Sequence, residues 1–155
     1  MDNKEIDIII NSQKEFNKTN SNEPTYPASF DWKMKNERVV FSIIIPFKSW
    51  SYNLEECLMF IRKLTFKEFE LILLPDNEMT LIEEFRDLPV IICPTGRVNP
   101  AVKRDLGAEK AKGLFFAFID DDAYPQSDWL SVAIKIFKTK QEIGAIGGPA
   151  VTPKT

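Results

Sequence analysis

An α/β fold with a mostly parallel sheet is what this sequence predicts, and three observations carry that expectation. Short apolar runs rich in β-branched residues recur along the chain. Segments with helical spacing of apolar residues separate them. Polar and turn-forming residues follow each apolar run, as they do where strands of a parallel sheet end at one edge.

The first run is Val39-Val40-Phe41-Ser42-Ile43-Ile44-Ile45, stopped by Pro46, and its unbroken apolar character suits a strand covered on both faces. Asn53 with Glu56 three residues later has capping-box spacing, so a helix is expected to start there. Leu54, Cys57, Leu58, Ile61 and Leu64 then give that helix one apolar face. Phe69 to Leu74 reads as a second buried strand ended by Pro75-Asp76-Asn77. A short helix through Leu81 to Phe85 and a third strand, Val90 to Cys93, follow. Asn99-Pro100 opens another helix, with proline at its favoured first position and Gly113 as the expected stop. Leu114 to Ile119 is a fourth strand running into Asp120-Asp121-Asp122. A helix over Asp128 to Thr139 and a late strand from Ile143 to Gly148 complete the pattern, with right-handed crossovers expected.

Residues 1–38 differ, and are expected to be an N-terminal extension or linker ahead of a domain over 39–155. Ile6, Ile9, Ile10 and Phe16 suggest a weak helical stripe, Asn17 to Ser29 has linker composition, and Phe30 and Trp32 are candidates for docking on the core.

Composition narrows the chemistry. The 155 residues carry a net charge of −3 and no histidine, so a basic nucleic-acid face, a Ser-His-Asp triad and a histidine metal site are not expected. Two cysteines, Cys57 and Cys93, read as free thiols rather than a disulfide framework. No apolar run reaches membrane-spanning length and no signal peptide opens the chain, so a soluble, cytoplasmic segment is expected, at the inner membrane face if a longer parent chain is anchored.

The aspartate triplet is the strongest chemical signal. Three adjacent carboxylates at a sheet end repel one another unless a cation is present. Were the backbone extended, Asp120 and Asp122 would project to one side and Asp121 to the other. Two hard oxygen donors suit Mg²⁺ or Mn²⁺ with water and phosphate in the remaining positions. The competing reading is an exposed acidic turn that caps the next segment.

The ordered motifs resemble the family 2 glycosyltransferases of the GT-A fold. Phe118-Ile119-Asp120-Asp121-Asp122-Ala123-Tyr124-Pro125 resembles that family's Asp-x-Asp segment, and Arg104-Asp105-Leu106-Gly107 its Arg-Asn-x-Gly segment, with Asp105 in place of Asn. Ser42 to Pro46 with Asn53-Leu54 is similar to its first strand and helix, and Gly147 to Pro153 to a later strand. The resemblance implies a nucleotide-sugar-binding sandwich, truncated here before the acceptor half. It places Pro46 beside the nucleoside and Asp76 on a uracil ring, although Pro75-Asp76-Asn77-Glu78 departs from the usual Asp-Asp-Gly-Ser run and Asp76 reads equally as a turn residue. It sets Gly96 where backbone approaches the nucleotide, or where a tight turn needs glycine. Arg104 would face the diphosphate, or be a solvated helix charge beside Lys103. Asp122 is the favoured metal ligand and Asp120 the second and nucleotide-side partner, and Asp121 is counted with them in the nucleotide-sugar-binding set without a metal role.

Gly107 in mid-helix costs about 1 kcal/mol against alanine, so close helix–sheet packing is its expected reason. Trp50, Trp129 and Lys48 are read as wall or solvated residues. The implied reaction is inverting transfer from a nucleotide-diphosphate sugar, a UDP-sugar in preference, to a glycan or lipid-linked acceptor. No residue of the chain is assigned as catalytic base, because the family's base lies beyond the Gly-Pro strand. Two other classes stay open: a non-catalytic nucleotide-binding remnant, and another α/β enzyme such as a nucleotidyltransferase.

Overall fold

The computed structural model describes residues 6–10, 39–140 and 142–149. Among the described residues six strands form one sheet: β1 (Ile6–Ile10), β2 (Phe41–Pro46), β3 (Phe69–Leu74), β4 (Val90–Ile92), β5 (Phe115–Phe118) and β6 (Ala145–Gly148). Their spatial order is β4-β3-β2-β5-β1-β6. β4, β3, β2 and β5 run parallel, and β1 inserts antiparallel to both β5 and β6. The mostly parallel α/β sheet is therefore borne out.

Chain order and spatial order together locate the ligand edge. From β2 the chain moves outward to β3 and β4, then returns through α2 (Pro100–Lys110) to β5 on the other side of β2. The order thus reverses between β2 and β5, and in open α/β sheets that crevice at the carboxyl ends of the strands is where ligands bind.

Helices cover both faces. α1 (Tyr52–Arg62) and α3 (Trp129–Thr139) pack with Phe41, Ile43, Ile45, Leu71, Leu73, Phe115 and Ala117 in the larger core. The opposite face is smaller: Ile44, Ile72 and Leu74 meet Ala111 and Ala108 of the α2 region. Alternation along β2 explains the division, since neighbouring strand residues point to opposite faces and both faces are roofed. All six residues of β2 and of β3 are buried. The apolar helix face expected from Leu54, Cys57, Leu58, Ile61 and Leu64 is buried as read, and Trp50 and Trp129 pack partly buried against the same core.

α2 lies close on the sheet because Gly107 has no side chain. A Cβ there would stand 2.7 Å from Ile44 Cγ2 and 2.8 Å from Leu74 Cδ1. Lys103, Gly107 and Ala111 make its inward stripe at four-residue spacing.

Several sequence expectations are corrected. Ile6–Ile10 is a strand, not part of a helical stripe, because consecutive β-branched residues favour extended backbone and β5 supplies a pairing edge. Phe16, Asn17 to Ser29, Phe30 and Trp32 lie outside the described residues. The first helix is capped by Ser51, whose hydroxyl accepts from the Leu54 amide at 3.2 Å, so Asn53 lies inside the helix. The segment before β4 holds only a 3-10 turn, Glu83–Phe85. α2 starts as expected, with Asn99 accepting from Val102 at 2.9 Å and Pro100 next, but it ends at Lys110. Gly113 is therefore not its stop. It is needed because a Cβ there would meet the Ser42 amide nitrogen at 2.5 Å.

The Ser51 cap gives a direct prediction. Ser51→Ala should lower stability by about 1 kcal/mol in urea unfolding, whereas Asn53→Ala should cost well under that, since only the serine satisfies an end-of-helix amide.

Candidate active site

The polar edge is built from strand ends that stay laddered past the strands themselves. Phe47 donates to the Leu74 carbonyl at 3.2 Å, Asp76 to that of Lys48 at 3.1 Å, and Thr95 to that of Pro75 at 2.9 Å. Ile119 donates to the Ile44 carbonyl at 3.3 Å, which fixes where the aspartates emerge. The loops after β2, β3, β4 and β5 are thus held as one rim.

Lys103 anchors this rim from the first turn of α2. Its side chain is 4% exposed, yet the ammonium donates to the carbonyls of Phe47 at 2.5 Å and Leu74 at 3.1 Å and to Asp76 Oδ1 at 2.5 Å. All three hydrogens of the ammonium are matched. Asp76 is itself only 10% exposed, so the pair is largely withdrawn from water and is met there by those added hydrogen bonds. Sequence reading named Lys103 only as the neighbour of Arg104 and gave it no role of its own. The signal that could have found it is the stripe at 103, 107 and 111, which puts a lysine in line with a glycine and an alanine facing the sheet.

One residue further along, Arg104 points to the other side of the rim. Its guanidinium binds Asp120 Oδ1 at 2.5 Å, and both side chains are about a third exposed. Consecutive residues of α2 therefore grip two acidic groups from different strands: Lys103 takes Asp76 after β3, and Arg104 takes Asp120 after β5. Arg104 is not a solitary solvated charge. Gly96 adopts φ +75°, a conformation that by itself calls for glycine, and a Cβ there would meet nothing within 4 Å. Pro46 closes β2 at the same edge.

The triplet does not continue the strand. β5 ends at Phe118, and Ala123 donates back to the Asp120 carbonyl at 3.1 Å, so Asp121 and Asp122 occupy the middle of a turn. The alternation expected to set Asp120 and Asp122 on one side fails for that reason. Behind it stands Cys57 of α1, whose thiol lies 3.8 Å from the Asp120 carbonyl. Burial first, and then the charges of Asp121, Asp122 and Asp120, push that thiol upward and keep it neutral. Cys57 and Cys93 are both free, as expected.

Tyr124 completes the turn's surroundings. Its hydroxyl donates to Glu56 Oε2 at 2.9 Å, and its ring stacks on Phe60 with centroids 5.2 Å apart. Burial, then the hydrogen bond and charge of Glu56, then the charge of Asp122, push its hydroxyl up to about 12. Neither Glu56 nor Tyr124 was singled out from the sequence as a site residue. Among the described residues no three His, Cys, Asp or Glu side chains converge to enclose a metal ion by themselves.

A family model described as Glycosyl transferase family 2 matches residues 42–154, most of the chain. The chain belongs to that family. Among solved structures, this glycosyltransferase domain is similar to S. aureus TarS 1-349, with a TM-score of 0.59 and 24% identity over 66% of this chain and 33% of that one. It is also similar to the same TarS fragment in complex with UDP, with a TM-score of 0.54 and 27% identity over 66% and 33% of the two chains. The mannosyltransferase PcManGT from Pyrobaculum calidifontis, in complex with GDP-Man and Mn²⁺, matches with a TM-score of 0.55 and 20% identity over 65% and 33%. This chain thus spans about a third of the length of those proteins. No curated protein matches it significantly. The GT-A-type fold expected from the motifs is borne out, and no helix among the described residues is long and apolar enough to cross a membrane.

Proposed function

We propose that this family 2 domain binds a nucleotide-diphosphate sugar, a UDP-sugar in preference, through a divalent cation held at the aspartate turn. The observation that carries the reading is the paired grip of α2, in which Lys103 holds Asp76 and Arg104 holds Asp120 across the switch point of the sheet. Two acidic groups are thereby fixed on either side of β2, where a nucleoside and a diphosphate would lie.

Each residue has a part in that reading. Asp76 is held as a hydrogen-bond acceptor by Lys103, which suits a base that presents an N–H, as uracil does. The 27% identical TarS fragment was solved with UDP, which supports the same preference. Pro46 and Gly96 lie on the rim beside the nucleoside position. Arg104 neutralises Asp120 and stands ready to share its guanidinium with a phosphate oxygen.

The donor set fits Mg²⁺ or Mn²⁺. Such an ion takes one or two carboxylates and fills its other positions with phosphate oxygens and water, so no closed protein cage is needed. Asp122 would hold it first, since Asp120 already gives one oxygen to Arg104, with Asp120 second and Asp121 beside them. When bound, the cation supplies charge stabilisation to the departing diphosphate. Inverting transfer to a glycan or lipid acceptor also requires a base on the acceptor hydroxyl, and none of this chain's residues is assigned that role.

Calorimetry tests the reading. UDP should bind the chain more tightly with Mn²⁺ than without it, and CDP more weakly than UDP. Asp122→Ala should lose roughly 100-fold or more of the metal-dependent affinity, the scale on which losing a phosphate-clamping cation is felt. Metal-independent binding that survives Asp122→Ala would refute the site.

A further inference from the structure

The outer face of α1 bears a stripe that no part of the donor site uses. Tyr52, Glu56 and Phe60 lie at four-residue spacing, so they stack along one line of the helix. Glu56 accepts from two phenols, Tyr52 at its Oε1 at 3.1 Å and Tyr124 at its Oε2 at 2.9 Å. Phe60 covers the Tyr124 ring. Tyr124 in turn sits two residues beyond Asp122 in the turn closed by the Ala123 amide.

From this arrangement we infer that Glu56 and Tyr124 are positioning residues for the cation site, latching the segment that follows the aspartate turn to α1. The inference rests on the reading of Asp122 as the metal ligand. On its near side the turn is held by Arg104 on Asp120. Beyond the turn the Tyr124 hydroxyl is tied to Glu56, with the Phe60 ring packed on the Tyr124 ring. Glu56 supplies an acceptor that orients Tyr124, and groups that orient metal-binding loops act through such hydrogen bonds.

The acceptor, rather than the charge, is the working part of Glu56. Glutamine in its place can accept from Tyr124 with its carbonyl oxygen while its amide nitrogen donates to the Tyr52 hydroxyl, which is able to accept. Alanine can do neither, and Tyr124→Phe keeps the ring on Phe60 but loses the donor.

Mn²⁺-dependent UDP binding to the full chain, measured by calorimetry, reads the latch. Tyr124→Phe and Glu56→Ala should each weaken it by roughly 10-fold or more, the range seen when a metal ligand loses its outer partner, while Glu56→Gln should stay within about 3-fold of wild type. Thermal midpoints of all three variants should match wild type. A second measurement needs no ligand: amide hydrogen exchange at Ala123 should speed up in Tyr124→Phe and Glu56→Ala and not in Glu56→Gln. Wild-type chain that binds no Mn²⁺–UDP refutes the proposed function, and the exchange experiment then still decides whether the latch orders the turn. Unchanged exchange in Tyr124→Phe, or a Glu56→Gln variant as weak as Glu56→Ala, overturns the latch.

Discussion

Replacing Lys103 with methionine is expected to destabilise the chain by about 3–5 kcal/mol, because removing one partner leaves a buried carboxylate without its cation. Methionine fills nearly the same volume, so the loss is electrostatic and not a cavity. Asp76 would then be held only 10% exposed with no charge opposite it, and the carbonyls of Phe47 and Leu74 would lose a shared donor. Urea unfolding of Lys103→Met, Asp76→Asn and the double variant measures the pair. The double variant should recover part of the stability lost in Lys103→Met, since it no longer buries an unpaired charge, though the two carbonyls still lack their donor. A double variant no more stable than Lys103→Met would show that the carboxylate is not what the lysine compensates. Because Lys103 also joins the rims of β2 and β3, Lys103→Met should abolish the proposed UDP binding even where the chain remains folded.

The same lysine shows where sequence reading stops. The strands Phe41–Pro46, Phe69–Leu74 and Phe115–Phe118 were legible because a parallel sheet roofed on both faces demands apolar runs. The edge that collects polar residues followed from topology alone, because parallel strands all deliver their carboxyl ends to one side. What was not legible is pairing across distance. Lys103 and Asp76 are 27 positions apart, and Glu56 and Tyr124 are 68 apart. No local pattern distinguishes a lysine that bends inward to three acceptors from one that stays in water, except that its helix is thin on that side. The turn at Asp121-Asp122 was missed for a related reason: extended alternation holds only while a neighbouring strand keeps the backbone straight, and the parallel β5–β2 pairing ends before the triplet. The strand Ile6–Ile10 depends on an edge supplied from more than a hundred residues away, where β5 accepts it.

Gly113→Ala is the second large effect expected, a loss of about 3 kcal/mol, at the upper end of what forced overpacking costs. The added methyl would stand 2.5 Å from the Ser42 amide nitrogen and 2.7 Å from the Phe41 carbonyl carbon, both backbone atoms of the central strand. It would also disturb a buried polar knot. The Gly113 amide donates to Ser42 Oγ at 2.9 Å, Ser42 donates to Glu70 Oε1 at 2.6 Å, and Glu70 accepts again from the Lys112 amide at 2.5 Å. Glu70 and Ser42 are buried, so any bond broken there leaves a polar group dry. Gly107→Ala provides the contrast. Its methyl meets side-chain ends, Ile44 Cγ2 at 2.7 Å and Leu74 Cδ1 at 2.8 Å, and alanine returns about 1 kcal/mol of helix propensity. A smaller net loss is therefore expected, and Gly144→Ala, with nothing within 4 Å, should fall within about 0.5 kcal/mol of wild type. Thermal unfolding of the three variants should rank them 113, 107, 144 in order of damage. A Gly113→Ala protein as stable as Gly144→Ala would mean that the loop after α2 can lift off β2, and that the Ser42–Glu70 knot does not hold it there.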